Sequence, residues 1–196
     1  MRYRDENKIQ TIREKAIEMI ARDGLENFGI NRLAKAAGVS PATIYIYYKD
    51  KEDLITSISI EEGLKMTRAT LKGFNPEMNF EEGLWVQWQN RAKYSLNNTM
   101  TANFFEQLRN STYKEKMLET ISSEFEKSMG RYMQNAVDRG EVNEMTMEVY
   151  WSVAFAPLYS LIRFHNDGKS LGGRKFSFSQ KMMKEAFSYV IKGLKK

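Results

Sequence analysis

The sequence predicts an all-α protein, and three observations predict it. Apolar residues recur at intervals of three and four through nearly the whole chain, the period of amphipathic helices. With 3 Pro and 12 Gly in 196 residues there is too little punctuation for a many-stranded β fold. A hydrophobic fraction of 42% beside 28% charged residues is the balance of a folded globular chain. The length suits one ordinary domain with a large core, or a small head on a larger body.

The first helix carries Ile9, Ile12, Ala16, Met19 and Ile20 on one stripe, with Gly24 as its stop. A short second helix runs from about Ile30 to Ala37 and ends at Gly38. Ser40-Pro41 opens the third: serine caps free amides, and proline at the first helical position has no amide to leave unpaired. Lys49-Asp50-Lys51 interrupts it, and Asp50 caps a fourth helix that reaches about Leu71 through Leu54, Ile55, Ile58 and Met66. Gly73-Phe74-Asn75-Pro76 is the clearest internal break. Asn79 with Glu82 reads as a capping box for a helix holding Leu84, Trp85, Trp88, Ala92 and Leu96. A shorter helix follows with Phe104, Phe105 and Leu108. A long one, from Tyr113 through Met117, Ile121, Phe125, Met129, Tyr132 and Ala136, stops at Gly140.

Met147 to Phe164 is apolar on nearly all sides, and a helix of that kind must be covered on all sides. After a polar loop, Asn166 to Lys175, the final helix carries Met182, Met183, Phe187, Val190, Ile191 and Leu194. Two such helices from each of two copies would form a four-helix interface with two-fold symmetry. The expected dimer contacts are Trp151, Phe155, Leu158, Ile162, Phe187 and Ile191. The competing reading is a penultimate helix that is simply the core of one chain.

Composition also excludes. With 0 Cys there is no disulfide framework, thiolate metal site or cysteine nucleophile, and the 1 histidine, His165, leaves no His-rich metal site. Neither a cofactor nor a metal is expected, and an all-helical enzyme would need converging acid–base groups that no motif here supplies. Gly168-Lys169-Ser170 fails as a phosphate loop because Arg163 stands where the leading glycine belongs. The opening residues have no apolar run behind them, and the longest uncharged stretch, Val149 to Ile162, is too short to span a bilayer. A cytoplasmic protein away from membranes is expected. The net charge of +5 permits nucleic acid without requiring it.

Residues 33–47 carry the sharpest signal. Leu33-Ala34, Ala37-Gly38-Val39, Ile44 and Tyr47 follow helix-turn-helix spacing, with a small residue at the helix crossing and glycine in the turn. The second helix of the pair then turns Ala42, Thr43, Tyr45 and Tyr47 outward, without a carboxylate, and Lys49 and Lys51 follow within reach of phosphates. An ordinary helical hairpin is the plain alternative, and the whole set favours DNA. The run Gly38-Val39-Ser40-Pro41-Ala42-Thr43-Ile44-Tyr45-Ile46-Tyr47-Tyr48-Lys49-Asp50-Lys51-Glu52-Asp53-Leu54-Ile55 resembles the signature of the TetR family of bacterial transcriptional regulators. The detailed likeness covers about residues 9 to 56.

That resemblance implies a three-helix DNA-binding head over residues 1–50 and a helical effector-binding and dimerisation body over 51–196. It implies no enzyme but a regulator, commonly a repressor, that binds a palindromic duplex operator as a homodimer. A small apolar or aromatic effector would release it through the linker helix, Lys51 to Leu71. Carried over residue by residue, Asn31 can reach a base edge. Pro41, Ala42 and Thr43 enter the major groove, Tyr45 and Tyr47 touch phosphates and bases, and Lys51 meets phosphate. The chain departs at Gly29, where the family often has a capping Thr or Ser, and at Tyr48, where Phe is commoner. Trp85, Trp88, Phe104, Phe105, Phe125 and Tyr159 are the aromatics where the family places its pocket. A body that answers to a protein partner, or to no effector, is the alternative.

Overall fold

The computed structural model describes residues 6–196, apart from the side chains of residues 122–125. It is helical throughout: α1 (Glu6–Asp23), α2 (Ile30–Ala37), α3 (Pro41–Tyr47), α4 (Lys51–Thr70), α5 (Phe80–Asn97), α6 (Thr99–Leu108), α7 (Thr112–Asp138), α8 (Met147–Asn166) and α9 (Gln180–Leu194). A single 3-10 turn, Leu171–Gly173, lies between α8 and α9. Among the described residues extended pairing is limited to two isolated bridges, Val142 with Lys195 and Lys169 with Lys175. The helical period therefore forecasts both the class and the order of elements.

Caps set the boundaries. Asn79 Oδ1 accepts from the Glu82 backbone amide at 2.9 Å, the cap that starts α5, while Glu82 Oε2 accepts from the Asn79 side-chain Nδ2 at 3.2 Å rather than from its backbone as a full capping box would. Asp50 Oδ1 accepts from the Asp53 amide and Asp53 Oδ2 from the Lys49 amide, both at 2.8 Å, so two carboxylates secure the start of α4.

The chain packs as two units, one running through Met66 together with Asn98–Ser123, the other of Thr67–Asn97 with Glu124–Lys196. In the first, Ile12, Ala16 and Ile20 of α1 are buried with Phe28, Leu33, Ile44, Leu54, Ile55 and Ile58. Phe104 and Leu108 of α6 complete that core, so α6 belongs to the same packed body as the first four helices. Arg13 of α1 pairs with Glu61 and Glu62 of α4, and Lys65 closes the network on Glu62 at 2.8 Å.

The second unit is built on α5, α7, α8 and α9. Phe80, Leu84 and Trp88 of α5 are fully buried against Met129, Tyr132 and Ala136 of α7 and Tyr150, Ala154, Phe155 and Leu158 of α8. Tyr132 lies over Gly83, where a Cβ would come within 2.5 Å of its ring, and its hydroxyl donates to the Phe80 carbonyl. The Trp88 indole donates to the Ala154 carbonyl at 2.8 Å, one residue from the Val153 carbonyl that Pro157 deprives of its helical donor.

α8 shows how an all-round apolar helix is accommodated. Tyr150, Ala154, Phe155, Leu158 and Ile162 face the unit's own core, with Phe187 and Ile191 of α9 beside them. Five of the six residues expected at a dimer interface thus lie inside the chain's own second unit. Only Trp151, at 36% exposure, keeps open surface. The reason is that α5 and α9 of the same chain cover that side of α8. Val149 and Val153 are exposed on the side of α8 opposite that core, Met147 and Trp151 stay open near its first turns, and Met182 and Tyr189 are exposed on α9.

Candidate nucleic-acid interface

The interface is built from the turn between α2 and α3. Leu33, Ala34 and Ile44 are buried where the two helices cross, with Ala37 and Val39 packed at the edge. Gly38 sits at φ +66°, left-handed backbone that a side chain would strain. The Val39 amide returns to the Ala34 carbonyl at 3.0 Å and closes the turn. Ser40 Oγ accepts from the Thr43 amide at 3.2 Å with Pro41 next in the chain, so α3 starts as the Ser-Pro pair predicts.

With Ile44 facing inward, the opposite side of α3 faces out. Pro41 and Ala42 are exposed and Tyr45 is 53% exposed. Thr43 is half-buried, its hydroxyl shared with Ser40 Oγ at 2.9 Å. Tyr47 is half-buried against the first unit's core, turned further inward than Tyr45. Asn31 and Lys49 are exposed, whereas Lys51 is half-buried with its ammonium 5.7 Å from the centre of the Phe28 ring. Gly29 starts α2 with no side-chain cap, and Tyr48 is buried in the core.

Ile46 is missing from the residues that the motif nominates. It is 57% exposed, beside Tyr45. A signal existed: two residues past the buried Ile44 is about 200° around a helix, which points outward.

Asp50 and Asp53 are engaged in the start of α4, and Glu52 holds Lys116 at 2.5 Å, a hydrogen bond that lifts the Lys116 ammonium above its ordinary range. The acidic groups next to Lys49 and Lys51 therefore have cationic or amide partners of their own.

The aromatic residues nominated for an effector fall into two sets. Phe104 and Phe105 pack in the first unit. In the second, Trp85 and Trp88 meet the Phe187 ring at 4.8 and 5.2 Å, and the Tyr159 hydroxyl accepts from Arg91 at 3.0 Å. The Phe125 side chain lies outside the described residues. A depression of about 700 Å³ opens over Trp85 and Phe187, rimmed by Glu81, Glu82, Glu141, Lys184 and Lys195. No helix among the described residues is long and apolar enough to cross a membrane.

Comparison with known proteins agrees with this geometry. Residues 12–58 match the family described as bacterial regulatory proteins, tetR family. The chain is 40% identical over 55 residues to the fatty acid metabolism regulator protein of Bacillus subtilis, 28% of either length. It therefore spans under a third of that curated relative. The likeness to a TetR family transcription regulator from Marinobacter aquaeolei covers 100% of both chains, with a TM-score of 0.75 and 25% identity. A TetR-family regulator from Haemophilus influenzae has the same fold over 100% of both chains, at TM-score 0.78 and 18% identity. Relatives and fold are those of regulators rather than enzymes. Residues 12–58, with the helix-turn-helix at 33–47 inside them, thus match the DNA-binding segment of the tetR family, and the whole chain has the fold of TetR-family regulators.

Proposed function

We propose that the chain is a DNA-binding transcriptional regulator that works in the cytoplasm as a homodimer on a palindromic operator. The observation that carries this reading is the outward face of α3, with Tyr45 and its neighbours exposed on a helix whose inner side is locked by Ile44. Asn31, Pro41, Ala42, Thr43, Tyr45, Tyr47, Lys49 and Lys51 are the proposed contacts, the lysines on phosphate and the rest at or near base edges. The sign is repression, the commoner one in the family.

The homodimer is supported by apolar residues left exposed on α8 and α9, among them Val149, Val153, Trp151 and Met182. A second copy covers it by two-fold symmetry and sets two α3 helices roughly 34–36 Å apart, one turn of duplex. An effector that is small and apolar or aromatic is supported by the Trp85–Phe187 floor of the depression. Weakening DNA binding 100-fold requires ~2.7 kcal/mol of differential affinity between two poses of the linker helix α4. The fatty-acid role of the Bacillus relative is not carried over, because the match spans only 55 residues. A second reading, a body with no small-molecule effector, is favoured by the complete burial of Trp88 and Phe104.

Selection of duplexes from a random pool by the purified chain tests the reading. A two-fold symmetric consensus is expected, and enrichment of no sequence contradicts it. Tyr45→Ala is expected to lower affinity for that consensus at least about tenfold, the worth of one hydrogen bond to a charged group, with the helical circular dichroism unchanged. Loss of the helical signal instead would make Tyr45 a structural residue.

A further inference from the structure

The outward face of α3 is unusual in what it lacks. It presents Pro41, Ala42, Tyr45 and Ile46, with no arginine, lysine, asparagine or glutamine along the helix. Guanine is read in the major groove chiefly by bidentate arginine or by lysine, and α3 offers neither. The guanidinium of Arg32 in α2 is already engaged: Nη1 donates to the Asn27 carbonyl at 2.6 Å and Nη2 to Asp23 Oδ2 at 2.7 Å. The Thr43 hydroxyl is bonded to Ser40.

What remains is mostly apolar. Ile46 leaves 57% of its surface in water, and the Ala42 methyl is exposed four residues earlier, one turn along the same side. On the major-groove edges of the four base pairs, the apolar group available to such side chains is the 5-methyl of thymine. Asn31, exposed at the start of α2, carries the side chain whose amide pairs with N6 and N7 of adenine.

We infer that each half-site is rich in A·T pairs and is recognised through thymine methyl groups packed against Ile46 and Ala42, with Asn31 on an adenine. The inference rests on the DNA-binding reading above and names the base chemistry of that same site.

Deoxyuridine differs from thymidine only in lacking that methyl, so it tests the contact without touching the protein. The selected duplex is titrated with the full chain at one salt concentration, each thymidine replaced singly by deoxyuridine. At least one position in each half-site is expected to weaken binding about fourfold, the equivalent of ~0.8 kcal/mol for one buried methyl. Ile46→Ala, a substitution at an exposed position, is expected to erase the discrimination at its own contact. A chain that binds its duplex with uracil and thymine equal at every position overturns the inference and leaves the regulator reading standing. So does a consensus with guanine or cytosine throughout both half-sites. A chain that selects no duplex overturns both.

Discussion

At the scale of single residues, exposure separates side chains that the sequence pattern treats alike. Phe155 and Val153 both lie in the apolar run of α8, yet Phe155 is fully buried and Val153 is 39% exposed. Phe155→Ala is therefore expected to destabilise the second unit by about 3–5 kcal/mol in denaturant unfolding, the usual cost of deleting a buried ring. Val153→Asp is expected to leave the helical spectrum intact and shift the chain from dimer to monomer in light scattering; a persistent dimer would move the interface elsewhere. Gly83 is a second such position, with Tyr132 so close that any side chain displaces the ring. Gly83→Ala is expected to cost about 1–3 kcal/mol in denaturant unfolding, the usual range for overpacking. A neutral result would mean that the ring moves freely aside. Tyr45 and Tyr47 were legible as helix-turn-helix positions, but their unequal exposure was not, because burial depends on which helices pack behind them.

Among elements, local chemistry was the most legible layer. The Ser-Pro start of α3, the glycine turn before it and the Asn79–Glu82 pair all act within a few residues, and each forms as its sequence dictates. Ser40→Ala is expected to lower the stability of the first unit by about 1 kcal/mol, the worth of one cap on a helix of only 7 residues. Thermal unfolding measures it, and an unchanged midpoint would mean that the cap is redundant. Less legible was the partner of each helix. The period that predicts α6 says nothing of where Phe104 and Leu108 insert, and they insert into the core formed by α1 and its neighbours. In α8 both sides are apolar, so no amphipathic stripe distinguishes the side covered by α5 and α9 from the side left open.

Over the whole molecule, the likeness to TetR-family regulators was legible because residues 38–55 combine a steric turn, a capped helix and outward hydroxyls at fixed spacing. The body offered no comparable motif, and its aromatic residues serve two separate cores. The central claim is that two copies of α3 are held at a fixed pitch on one duplex. It is tested most directly by inserting about five base pairs, half a helical turn, between the half-sites of the selected operator. Fluorescence anisotropy should then show affinity falling to that of a duplex with a single half-site, because the second α3 faces the wrong side of the helix. Affinity unchanged by the insertion would contradict a paired, rigidly spaced reader.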